Sequence, residues 1–179
     1  TGAMVTEGLV ENPTPVNCRT CHKIHENYDE SDYDLRINQA NTIWSGETVD
    51  MGKGNMCTNC HQSRIPDPLP ETGGSDVTIN SPYWGTHHGP QTSIFAGVGG
   101  YEVSGSLAYE NSKHTNAVTD GCVTCHMSSA FGNQAGGHTM NMTYAYHGSE
   151  NANVSGCTDC HSGISDFNLN GIQDEMHTL

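Results

Sequence analysis

One pentapeptide pattern recurs four times along this chain: Cys18-Arg19-Thr20-Cys21-His22, Cys57-Thr58-Asn59-Cys60-His61, Cys122-Val123-Thr124-Cys125-His126 and Cys157-Thr158-Asp159-Cys160-His161. The four copies use all eight cysteines of the 179 residues. Cys-x-x-Cys-His is the covalent attachment signature of c-type haem: two thiols add across the vinyl groups, and the next residue offers an imidazole to the iron. A zinc ribbon needs Cys-x-x-Cys pairs but has no use for a histidine after every pair, and a thioredoxin-like pair belongs in a βαβ setting that is missing here. Four matches with no cysteine left over favour haem over these readings and over disulfides. Four haem c groups are therefore expected, with His22, His61, His126 and His161 as the proximal iron ligands.

Such a chain has little else from which to build an interior. Only 34% of its residues are hydrophobic and 7% aromatic, against 21 glycines, which is thin for an ordinary core of this size. Porphyrins would have to be the core, with the polypeptide as a wrapping that needs little regular secondary structure. The expected fold is a multihaem cytochrome c, mostly irregular, with a few short helices and minimal strand. One domain is expected over 1–179, with an extended N-terminal arm at 1–17, where Pro13 and Pro15 lie, and a C-terminal tail at 166–179.

Twenty acidic residues against six basic ones leave a net charge of −14, which makes nucleic acid an unsuitable partner. Each oxidised haem with both propionates ionised adds about one negative charge, bringing the holoprotein to about −18. That surface suits basic partners and metal cations. No apolar run approaches the roughly eighteen residues of a membrane span. Because haem c is attached after export, Thr1 is expected to follow a removed leader, placing the chain in the periplasm or outside the cell.

Further histidines are spread between the motifs. His25 lies three residues after His22, close to the first attachment site but pointing away from its own iron, and so suits a neighbouring haem. After a proline-rich strap at 64–70, expected to run extended, His87 and His88 sit among Tyr83 and Trp84, and one of the pair is expected to be a ligand. Residues 106–111 are expected to start a short helix, followed by His114. His138 sits on a Gly136-Gly137 turn, residues 140–146 alternate with a strand-like period of two, and His147 precedes the fourth motif. In the tail, Asp166, Asn168, Asn170 and Asp174 resemble a calcium loop with Gly171 at its sixth position. His177 stands where a bidentate glutamate is needed, so the alternative is a turn capping a short helix. Asn141-Met142-Thr143 and Asn153-Val154-Ser155 are glycosylation sequons, meaningful only in a glycosylating host.

Ligand supply bears on function. Of 11 histidines, four are proximal, leaving seven (with His177) for four distal positions. Irons that each take two imidazoles have no open coordination site, so the protein passes electrons without binding a small substrate at iron. No motif has lysine in place of its histidine, and the methionines read as gap-fillers against haem edges. An electron carrier rather than an enzyme is expected.

At His87-His88-Gly89-Pro90-Gln91, Ser112-Lys113-His114, Cys122 to Met127 and Gly136-Gly137-His138-Thr139, the chain resembles the OmcE-like extracellular tetrahaem cytochromes, which polymerise into conductive nanowire filaments. The likeness spans about residues 16–165. It implies bis-histidine ligation throughout, with haems in alternating stacked and T-shaped pairs. It also implies head-to-tail subunits, with a distal histidine sometimes donated in trans. Carried over by position, the distal ligands are His25, His87, His114 and His138, with His147 and His88 in reserve. The implied protein is secreted, self-associates, and exchanges electrons with partner cytochromes or extracellular metal acceptors. Two other readings stay open: a soluble periplasmic tetrahaem carrier, and a multihaem reductase with one vacant iron.

Overall fold

The structure, a computed structural model, describes residue 12 and residues 14–63, 66–85 and 89–179. His87, His88 and most of the N-terminal arm lie outside these. The polypeptide forms two compact units, Thr1–Ile37 and Asn38–Leu179. It is mostly coil: among the described residues, no helix exceeds the seven residues of the last one and no strand exceeds four.

In the first unit, helix α1 (Cys18–Cys21) begins where the Asn17 side chain accepts from the Arg19 N–H at 3.0 Å, while the Asn17 N–H donates to Thr20 Oγ1 at 3.0 Å. These caps satisfy donors that a four-residue helix cannot satisfy internally. A 3-10 turn, Glu30–Tyr33, follows, and its Asp32 is buried. The backbone N–H of Asn27, joined by those of His25, Tyr28 and Glu26, holds the Asp32 carboxyl below the usual carboxylate range against the opposing push of burial.

The second unit starts with a short antiparallel pair, β1 (Asn41–Thr42) and β2 (Thr48–Val49), in the register Asn41 to Val49. A 3-10 turn, Gly52–Gly54, leads into α2 (Asn55–Thr58), which contains the first cysteine of the second motif. Then come α3 (Gln91–Ala96), α4 (Lys113–Ala117) and α5 (Cys122–His126). A hairpin of β3 (Thr143–Tyr146) and β4 (Ser149–Ala152) precedes the fourth motif, and α6 (Ile172–Thr178) closes the chain. Both central residues of the hairpin turn have positive φ, His147 at 50° and Gly148 at 79°, as a type I′ turn requires.

The strand-like pattern at 140–146 thus becomes strand in its second half. Met140, at φ 57°, stands in the left-handed region before it. The helix expected at 106–111 is not formed. That stretch is irregular, and α4 starts only where Ser112 Oγ accepts from the His114 N–H at 3.2 Å, because a serine that caps fixes the helix start at itself. The strap is irregular over its described part, residues 66–70, and Trp84 Nε1 donates to the Pro68 carbonyl at 2.9 Å.

Among the described residues the buried apolar side chains are Ile43, Val49, Met51, Met56 and Ala135. Polar groups do part of the interior's work. Asn55 is fully buried, with its Oδ1 accepting from the Met51 N–H at 2.8 Å and its Nδ2 donating to Asp50 Oδ1 at 2.8 Å. An Asn55→Leu variant leaves the Met51 N–H without a partner and is expected to lose about 2–3 kcal/mol. Thermal denaturation of the holoprotein followed by circular dichroism checks this.

Candidate haem attachment and ligation sites

Each motif closes as a single helical turn. The histidine N–H donates to the carbonyl of the first cysteine in His22 to Cys18 (2.9 Å), His61 to Cys57 (2.9 Å) and His161 to Cys157 (2.8 Å), while the third motif is α5 itself. Cysteines three apart on one turn project to the same side. Two sulfurs are thereby offered to one flat partner. Cysteine is among the most buried residue types in proteins, yet none of the eight here is buried, and none is in a disulfide. Their sulfurs lie where something outside the polypeptide can reach them.

Two of the proximal imidazoles are oriented by backbone carbonyls. His22 Nδ1 meets the Tyr33 carbonyl at 2.5 Å, and His126 Nδ1 meets the Met140 carbonyl at 2.9 Å. A carbonyl only accepts, so Nδ1 must carry the proton in both rings. The lone pair is left on Nε2, and a metal-ligating histidine is held in the same way.

His114 and His161 come together from distant parts of the second unit, with ring centres 5.9 Å apart. A metal sits about 2 Å from an imidazole nitrogen and about 3 Å from the ring centre, so two rings sharing one ion stand about 6 Å apart. The spacing is of the size that two rings on one ion require, and the ring planes are tilted by 46° to each other. Helix α4 supplies His114, and its position is secured on α3 by Thr115 Oγ1 donating to the Phe95 carbonyl at 2.7 Å. In turn α3 rests on the second motif, where the Thr92 N–H donates to the His61 carbonyl at 2.9 Å.

The second, third and fourth motifs are packed against one another. The Lys53 N–H donates to Asp120 Oδ1 at 3.2 Å and the Lys53 ammonium lies 3.7 Å from that carboxylate, joining the chain before motif two to the chain before motif three. Gly121, at φ 49°, faces Met51 so closely that a Cβ would stand 2.7 Å from the Met51 Cβ. At Gly156 a Cβ would stand 2.3 Å from the Thr124 carbonyl oxygen and 3.2 Å from the Cys125 Cα. Only glycine leaves room for the motifs to meet this way. Their sulfurs are correspondingly close. A hydrogen bond from Cys57 draws the Cys122 thiol down to about 6, aided by the charge of His126. Burial, followed by the neighbouring sulfurs of Cys157 and Cys122, pushes Cys125 up.

The remaining histidines are placed as follows. His25 has φ 64° and stacks on Tyr28, with ring centres 5.5 Å apart. His138 lies in a 3-10 turn, Gly137–Thr139, just before the Met140 carbonyl that takes His126. His147 is at the hairpin tip against Tyr146, and His177 is in α6. In the tail, Asn168 Nδ2 donates to Asp174 Oδ2 at 2.8 Å and Asn168 Oδ1 accepts from the Gln173 N–H at 2.8 Å. The loop thus has the form of a turn leading into α6. Of the two sequons, Asn153 is buried and bonded to the Ser129 carbonyl, whereas Asn141 is exposed.

These residues fit a covalently held haem. Each motif would supply two thiols and one imidazole to such a group, and iron in a porphyrin asks the protein only for axial groups. Among the described residues the buried polar atoms Trp44 Nε1, Thr92 Oγ1 and Ser128 Oγ have no hydrogen-bond partner. Thr92 adjoins motif two and Ser128 follows motif three, and propionates are acceptors such donors can satisfy. The carbonyls of Tyr33 and Met140 carry no sequence signature, because backbone groups look alike in every residue, and Asp32 is one of several acidic residues in its stretch. No family model, no curated protein and no solved structure matches this chain.

Proposed function

We propose that this protein conducts electrons through four covalently bound haem c groups, each iron held between two imidazoles, and that copies join head to tail into an extracellular filament. The observation that carries the reading is the His114–His161 pair at 5.9 Å. A haem held there supplies reversible one-electron chemistry. The chain would do the rest: the paired thiols would anchor each group, the Nδ1 hydrogen bonds aim His22 and His126, and His114 together with His161 would hold the fourth iron.

Closed coordination leaves electron transfer as the chemistry available, since a substrate has no iron site to enter. The glycine-lined meeting of motifs two, three and four supports short steps between haems, because electron hopping falls steeply with edge separation. Filament growth needs only a heterologous contact that does not close into a ring, and for this chain it rests on the resemblance to nanowire cytochromes.

Electron microscopy of the native secreted material tests the assembly. Fibres are expected, and uniform globules would instead mean a soluble tetrahaem carrier. A pyridine haemochrome assay is expected to find about four haems per chain. The ferric spectrum is expected to be low-spin and unchanged by cyanide; a cyanide-induced change would expose an open iron and favour a reductase.

A further inference from the structure

Asp32 is buried and charged, 6% exposed, and no part of the attachment chemistry uses it. Its two oxygens gather four consecutive backbone N–H groups. Oδ2 accepts from His25 at 2.8 Å and Tyr28 at 3.2 Å, while Oδ1 accepts from Glu26 at 3.0 Å and Asn27 at 2.8 Å. His25 and Tyr28 both have positive φ, 64° and 62°. A left-handed conformation is disfavoured for a non-glycine residue, so this path needs an anchor. The carboxylate is that anchor: converging N–H groups form a cradle for an anion, and here the anion belongs to the chain itself.

The turn that carries Asp32 is itself held in place. Asp29 caps it, with Oδ1 accepting from the Ser31 N–H at 2.8 Å. Arg36 ties the neighbourhood to the first motif, its Nε donating to the Arg19 carbonyl at 2.6 Å and its guanidinium pairing with Glu26 at 3.0 Å. One residue beyond Asp32, the Tyr33 carbonyl takes His22 Nδ1.

We propose that Asp32 is a positioning residue for axial ligation: by gathering the N–H groups of residues 25–28, its carboxylate sets where the His25 imidazole stands. The inference rests on the reading of His25 as an iron ligand. His25 follows His22 by only three residues, so on that reading it would serve an iron other than the one His22 holds. The single turn Glu30–Tyr33 fixes both segments, that of His25 through Asp32 and His22 through the Tyr33 carbonyl.

The test compares Asp32→Asn with His25→Ala in the full haem-loaded protein, by electron paramagnetic resonance and the high-spin charge-transfer band. Asparagine keeps the shape but replaces one oxygen by NH2, so whichever way the amide turns, one pair of N–H groups faces a donor. Both variants are expected to keep about four haems and to convert about one of them from low-spin to high-spin, and added imidazole should restore the low-spin signal. If His25→Ala becomes high-spin while Asp32→Asn stays fully low-spin, the positioning role is wrong and His25 remains a ligand. If His25→Ala itself stays low-spin, the ligand reading fails and takes the role of Asp32 with it. Should Asp32→Asn not mature, Asp32→Glu decides. It keeps the charge but places it about one methylene too far out, and an unchanged low-spin spectrum there overturns the proposal.

Discussion

Replacing His114 by alanine is expected to turn one haem of the four high-spin and to raise its midpoint potential. On the proposed reading, in which the His114–His161 pair at 5.9 Å holds the fourth haem, His161 alone would remain on that iron. The shift should be on the order of 0.1 V, a modest part of the roughly 0.8 V that axial ligation spans. The variant should bind cyanide or imidazole at one site per chain, where the parent binds none. Ser112→Ala offers a graded companion. It removes both the cap on the His114 N–H and the 3.3 Å contact to His114 Nδ1. It should loosen the ligand and cost about 1 kcal/mol of helix stability. His177→Ala, in the closing helix α6, is the control. Spectroelectrochemical titration of the three variants checks all of this. A His114→Ala protein with four unaltered low-spin haems would remove the proposed ligand pair.

The second large effect is expected at the glycines where motifs meet. A Cβ at Gly156 would stand 2.3 Å from the Thr124 carbonyl oxygen and 3.1 Å from the Ser128 Cβ. These are neighbouring backbone and a short side chain, neither of which can swing aside. Gly156→Ala must therefore push motif four off α5, at an expected cost of about 3 kcal/mol and a melting temperature lower by roughly 6–12 °C. Gly121→Ala meets Met51 and adds the strain of φ 49°, so it should be at least as damaging. Gly100→Ala, where nothing lies within 4 Å, should be silent. If the displaced segments carry haems as proposed, the first two variants should also change the exciton splitting of the Soret circular dichroism, while Gly100→Ala leaves it unaltered. Equal melting curves for all three would show that the motifs do not depend on this packing.

How much of this was legible beforehand divides along a physical line. The four attachment motifs could be read directly, because each is a local event: one helical turn brings two thiols and an imidazole together whatever surrounds it. The scarcity of regular structure also followed from composition, since a chain with so few apolar side chains cannot stabilise long helices or a wide sheet by its own burial. The alternation at 140–146 foreshadowed β3, whereas the His147-Gly148 turn and β4 lie beyond that pattern. The start of α4 was misplaced by several residues because a lone serine cap outweighs a weak helical run.

What the chain order alone determined is four Cys-x-x-Cys-His turns, since each depends on residues within five positions of each other. Tertiary structure decided which imidazole faces which: His114 and His161 lie forty-seven positions apart, and only the docking of α3 on motif two and α4 on α3 brings them within one ion's reach. Tertiary structure likewise selected Gly121 and Gly156 from among 21 glycines and gave Asp32 its four donors. Close approach and converging N–H groups are properties of the folded path, and they exist only once distant segments meet.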